Sequence, residues 1–167
     1  MSIWRPVSHI RVLAIGLHWR NGRLLAAEVR DDLGRLKGVR PLGGGVEFGE
    51  RCEAALMREF REELGVAIEV IDGPAVLENI YTHQGATGHE VVFAYEVDFA
   101  ADAFAGQDRI VFHEDDGSPV VAHWYDLAEL DIAGGPALYP EGLKRHLLAR
   151  RAEGSAFARL RVEGSDA

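Results

Sequence analysis

Apolar and polar positions along the chain change in short blocks, most of them too short for helices. Residues 9–18 and Arg23–Arg30 are apolar runs, and Arg20, Asn21 and Gly22 between them form a turn signal, which predicts an antiparallel pair of strands. Residues 38–42 read as a third extended piece, because Arg40 precedes Pro41 and the residue before a proline is pushed out of the helical region. Residues 67–71, 75–83, 89–99 and 120–125 read as further strands. Two segments carry helical character. Residues 50–64 hold no Pro or Gly and are rich in Ala, Leu, Met, Glu and Arg, with Gly49 placed to cap the start and Gly65 to end the helix in a left-handed conformation. Residues 141–151 form the second. Residues 153–167 carry no pattern that assigns them. No repeat or long linker interrupts the chain, so residues 1–167 are expected to form one α/β domain, a mixed β-sheet packed between helical layers.

On a helical wheel the 50–64 segment departs from a simple amphipathic helix. Cys52, Leu56, Phe60 and Leu64 line one stripe, as a core-facing helix requires. Glu63 lies seven residues beyond Leu56 and so projects only about 20° from it, close to the middle of that stripe. Glu59 is beside it and Glu62 is on the flank, so three carboxylates stand within one turn at neighbour spacings. An acidic helix is ordinarily a solvated face laced with ion pairs, and Arg58 with Glu62 fits that account. Glu63 does not, because a carboxylate near a core needs a partner to offset its desolvation. A divalent cation held by these oxygens would relieve both the burial and the repulsion, and hard oxygen donors favour Mg2+ or Mn2+. Gly43, Gly44 and Gly45 just ahead either form a flexible turn or let the backbone approach a ligand closely.

Composition narrows the partners. The chain of 167 residues has 47% hydrophobic residues, enough for a sizeable core, and a formal net charge of −9, which argues against a generic DNA or RNA backbone binder. Any polyanionic substrate has to be met locally. No apolar stretch is long enough to span a bilayer and the first ten residues lack the blocks of a signal peptide, so a cytoplasmic protein is expected. The single cysteine, Cys52, is too few for a disulfide or a cysteine-based zinc site and reads as a core residue.

Gly44, then Glu50, then Arg58, Glu59, Phe60, Arg61, Glu62, Glu63, Leu64, Gly65 and Val66 resemble the Nudix box at every charged and glycine position, over 23 residues. Phe60 stands where the family usually has an aliphatic residue, and an aromatic still serves the core side of the helix. Trp124, with Glu129 and Leu130 after it, is similar to a feature of the last third of such domains. The resemblance implies an α/β/α sandwich and metal-dependent hydrolysis of a nucleoside diphosphate linked to another group. It implies Glu59, Glu62 and Glu63 as metal ligands with the carbonyl of Gly43, Arg58 as the residue that orients the carboxylates, and Glu50 as the partner of Arg58 or an aid to catalysis. The general base is expected at Glu62, or later at Glu90 or in the cluster Glu114, Asp115 and Asp116, where Asp116 with Gly117 reads equally as a turn. His89 and His113 are expected at the surface or in packing. Arg40, Gly44 and Gly45 are candidates for substrate binding, and Trp4, Tyr81, His83 and Tyr95 are further candidates for setting specificity. Sugar nucleotides, dinucleoside polyphosphates, ADP-ribose and oxidised nucleoside triphosphates all stay open as substrates, as does homodimerisation.

Three rival functions have distinct requirements. A catalytically silent nucleotide-binding sensor has no need of three carboxylates in this arrangement. An isoprenoid diphosphate isomerase needs a pocket cysteine, whereas Cys52 lies on the apolar stripe. Messenger RNA cap hydrolysis is disfavoured by the acidic balance and the lack of a basic block.

Overall fold

In the computed structural model, which describes residues 4–100, 103–114 and 116–163, two β-sheets diverge from a shared middle, and a helix packs on each side. One sheet has the order β5-β1-β7-β6, built from β1 (Ile10–Leu17), β5 (Gly43–Gly45), β6 (Ile68–His83) and β7 (Ala86–Phe99). It is mixed, since β1 runs parallel to β7 while its other pairings are antiparallel. The second has β10 (Ala137–Leu138), β4 (Leu36–Arg40), β3 (Arg23–Arg30), β9 (Pro119–Tyr125) and β8 (Arg109–His113) in that order, with β2 (Trp19–Arg20) added beside β3. Helix α1 (Cys52–Leu64) and helix α2 (Leu143–Glu163) complete the layers. None of the described helices is long and apolar enough to cross a membrane.

Two buried clusters account for the layering. Leu56 and Phe60 of α1 join Ala14, Tyr95, Val97 and Phe99 of the first sheet and Leu25, Ala27 and Ala122 of the second. On the other side, Leu143 and Leu147 of α2 join Leu13, Leu17, Val92 and Ala94, together with Leu24 and Ala26. Consecutive residues of β1, β3 and β7 thus point to opposite cores, as strand alternation requires. Cys52 packs at the edge of the α1 cluster, the position its place on the apolar stripe predicts.

The structure corrects several expectations. β1 does not form a hairpin with β3. It lies between β5 and β7 in its own sheet, its second half from Leu13 to Leu17 buried on both faces, and only the two residues of β2 close the turn at Asn21 and Gly22. The segments 67–71 and 75–83 are one strand, paired along its length with β7 and irregular only around Asp72. β8 has no counterpart in the sequence reading, and one mixed sheet becomes two. Gly49 is not the helix cap. It adopts a left-handed φ of 85° in a turn closed by Glu50 N–H donating to the Glu47 carbonyl, and the extended residue that enters α1 is Arg51. Gly65 ends the helix with φ 67°, its amide donating to the Arg61 carbonyl, as expected. α2 runs to Glu163, twelve residues past the expected end, through a segment rich in Ala, Leu and Arg.

Candidate active site

The three glycines are an edge strand and not a loose turn. Gly43, Gly44 and Gly45 lie opposite Ile15, Ala14 and Leu13 of β1. Gly43 has φ 144°, and a side chain there would collide with the Ala14 backbone. Gly44 faces α1, where a Cβ would collide with the carboxylate of Glu59. The absence of side chains therefore lets the first turns of α1 lie flat on this strand, with the Glu59 carboxylate over the Gly44 Cα.

Arg58 organises the acids. Its Nε and Nη2 donate to the two oxygens of Glu50 at 3.0 and 3.1 Å, its Nη1 donates to Glu59 at 2.9 Å and Glu62 at 3.0 Å, and Nη2 also reaches the Gly45 carbonyl at 3.0 Å. Glu50 also accepts the Glu47 amide at 3.1 Å, so its carboxyl is held below the ordinary carboxylate range, chiefly by the Arg58 hydrogen bond. The same acids push the Arg58 guanidinium further up, led by Glu50. One positive charge is thus shared by three carboxylates, with Glu63 half-buried on the same helix, and the locality keeps an excess of negative charge. The Glu59 side chain is 14% exposed and that of Glu62 53%, so Glu62 is the acid offered most openly to solvent.

No three His, Cys, Asp or Glu side chains among the described residues converge into a ready coordination cluster. The donors nevertheless suit a hard divalent cation: they are all oxygens, spaced one turn apart, beside a strand without side chains.

The later candidates differ in burial and in partners. Glu90 shares a face of β7 with Val92 and Ala94, directed away from α1. It is buried, accepts the Tyr81 hydroxyl at 3.0 Å and the Asn79 amide at 3.5 Å, and lies 3.6 Å from Arg11 across the β1–β7 pair. Burial first, and then the Glu90 charge, push the Tyr81 hydroxyl up to about 12. Glu114 is different. It pairs with Arg40 at 3.0 Å, less buried than Glu90, and the Arg40 charge also reaches Tyr81. Asp116 accepts the Ser118 amide in a turn, as its pairing with Gly117 suggests, and Asp115 lies outside the described residues. His89 pairs with Glu78 at the surface and His113 is exposed.

Among the specificity candidates, Tyr95 is buried under α1 and faces no opening, whereas Trp4 packs edge-on against His83, which Lys37 approaches at 3.4 Å. Arg11 and Asn79 escaped the sequence reading. The signal for Asn79 was available in the period-two series Leu77, Asn79, Tyr81, His83, where polar residues follow Leu77 on the face of β6 that carries the second core.

Two sheets between helices, with a glycine edge strand under an acidic helix ordered by one arginine, define an α/β/α class of protein with one acidic candidate site. A family model described as NUDIX domain matches residues 7–150, and the chain belongs to that family. The nucleoside triphosphatase NudI of Escherichia coli is 48% identical over 56 residues, which are 33% of this chain and 40% of that protein, so the chain matches well under half the length of these relatives. The MutT NUDIX hydrolase from Burkholderia pseudomallei superposes with a TM-score of 0.55 at 24% identity, covering 82% of this chain and 96% of that one. A UDP-X diphosphatase superposes with a TM-score of 0.54 at 16% identity, covering 90% and 66%. These two likenesses show the fold.

Proposed function

We propose that the chain hydrolyses a phosphoric anhydride bond in a small nucleotide-like diphosphate, at the site between α1 and β5. The observation that carries the reading is the Arg58 hub, which fixes Glu50, Glu59 and Glu62 over the glycine strand. Family membership and the named hydrolases among the relatives support the same chemistry. In this reading Glu59, Glu62 and Glu63, with the Gly43 carbonyl, would hold Mg2+ or Mn2+, which supplies neutralisation of the diphosphate charge.

The chain's own residues supply the rest. Arg58 keeps the carboxylates in register, and Glu50 anchors Arg58 to the turn before the helix. Gly45 leaves open space for phosphate oxygens at the strand edge, beside Gly44, which seats the Glu59 carboxylate. Arg40 contacts the leaving portion. Glu62, the most exposed of the acids, takes a proton from the attacking water, with Glu114 as the later acid. Glu90 belongs to the buried hydrogen-bonded set with Tyr81 and Asn79.

The test is product analysis over a panel of nucleoside triphosphates, sugar nucleotides, dinucleoside polyphosphates and ADP-ribose with Mg2+ or Mn2+, run beside Glu62→Gln and Glu63→Gln. The expected result is metal-dependent phosphate or nucleotide release that both substitutions suppress. Turnover that survives both, or that needs no cation, overturns the reading. Cation binding is checked separately by melting, where millimolar Mg2+ or Mn2+ is expected to raise the Tm of the wild type and not of Glu63→Gln.

A further inference from the structure

Helix α1 covers only half of the face of the first sheet on which it packs. Register defines the other half. Ile10 of β1, His89 of β7 and Ile80 of β6 lie side by side in one row, and Val12, Val91 and Glu78 in the next. Ala14, Phe93 and Val76 form the third row, at the margin of the α1 core. Four of the aliphatic residues are open to solvent, Ile80 at 60%, Val76 at 59%, Ile10 at 56% and Val12 at 38%. The only polar members are Glu78 and His89, which pair with each other at 2.9 Å. An apolar sheet face of this size ending on an edge strand, β6, is a surface that soluble proteins ordinarily cover.

The neighbouring described segments do not cover it. Trp4 packs on His83, whose side chain lies on the other face of β6, and Arg5 pairs with Asp32. Leu143 and Leu147 of α2 bury themselves in the opposite core. We propose that a second copy of this chain docks here, sheet face against sheet face about a two-fold axis.

Two features favour a like partner. The chain carries a net charge of −9, so most of its surface repels a copy of itself, whereas this patch holds one carboxylate and one imidazole, and a two-fold stacking can place the His89 of one copy beside the Glu78 of the other. The exposed parts of these side chains come to roughly 600 Å² per copy, so the pair buries about 1,200 Å², the lower end of specific interfaces. The dimer is accordingly weak and concentration-dependent.

Sedimentation equilibrium of the full chain, from low micromolar to several hundred micromolar, tests the proposal. The mass is expected to rise from the monomer's 18.3 kDa toward twice that value, and Ile80→Asp and Val76→Asp are each expected to hold it at the monomer while the Tm stays close to wild type. Ile80→Ser serves as the milder change if an aspartate variant fails to fold, with dissociation shifted at least tenfold toward monomer. Glu78→Lys, which removes the carboxylate from the exchanged pair, is expected to weaken association. A wild type that stays monomeric throughout overturns the proposal and leaves the patch to a different protein, as does a dimer that persists unchanged in Ile80→Asp and Val76→Asp.

Discussion

The carboxylate of Glu59 lies against the Cα of Gly44, at a distance that leaves no room for a methyl group. The contact joins the glycine strand to the acidic helix, and it explains why a glycine is needed at a position whose backbone is otherwise ordinary for a strand.

Gly44→Ala should therefore displace Glu59 and cost activity far more than stability. The far end of a flexible side chain yields readily, so a change in Tm of only a few degrees is expected, against a fall in kcat/KM on the order of a hundredfold. In an Glu59→Gln background the same alanine should have little further effect on activity. Additive losses would show that Gly44 acts independently of Glu59.

Arg58 separates shape from charge. Arg58→Lys keeps the positive charge but cannot reach Glu50, Glu59, Glu62 and the Gly45 carbonyl at once. Both Arg58→Lys and Arg58→Ala are expected to lower kcat at least tenfold, and the alanine variant to lose about 1–3 kcal/mol in denaturant unfolding. A lysine variant with wild-type kcat would mean that charge alone suffices.

Glu114 and Glu90 are told apart by burial and partners. Glu114→Gln is expected to lower kcat by about 10²-fold or more with little change in stability, as for loss of a positioned acid or base. Glu90→Gln removes the charge that Tyr81, Asn79 and Arg11 surround, and is expected to lower Tm while kcat changes much less. The reverse ranking would make Glu90 the later acid.

His18 makes stability depend on pH. Its ring is buried, stacked on Phe99, and accepts the Trp124 indole N–H on Nδ1 at 3.3 Å. Burial lowers its pKa from the ordinary 6.5, an effect the nearby Asp98 only partly opposes. The unfolded chain then takes up the proton more readily than the folded one. The His18 contribution is complete above pH 6.5 and declines as pH falls below that value toward the folded-state pKa. Denaturant unfolding between about pH 7.5 and pH 5 should show this loss, and His18→Gln should flatten it. An unchanged slope in the variant would assign the effect elsewhere.

The acidic helix and the family were legible in the sequence, because they depend on local spacing, whereas the three glycines read as a turn and form a strand only through their pairing with β1. Seven residues place Glu63 near the direction of Leu56, and four place Glu62 beside Arg58, wherever the helix sits. Most of the longer strands were legible for the same reason, through alternation, and β8 was not. What β1 would pair with was not legible either, because pairing is a choice among strands far apart in the chain, and the burial of Leu13 to Leu17 on both faces drew β1 into a sheet with β5 and β7 in place of a hairpin with β3. The role of Gly44 as a seat for Glu59, the burial of Glu90 and the pairing of Glu114 with Arg40, and the half of the sheet that α1 leaves bare were likewise decided by tertiary structure alone. Each depends on where one element comes to rest on another, and no local spacing carries that information.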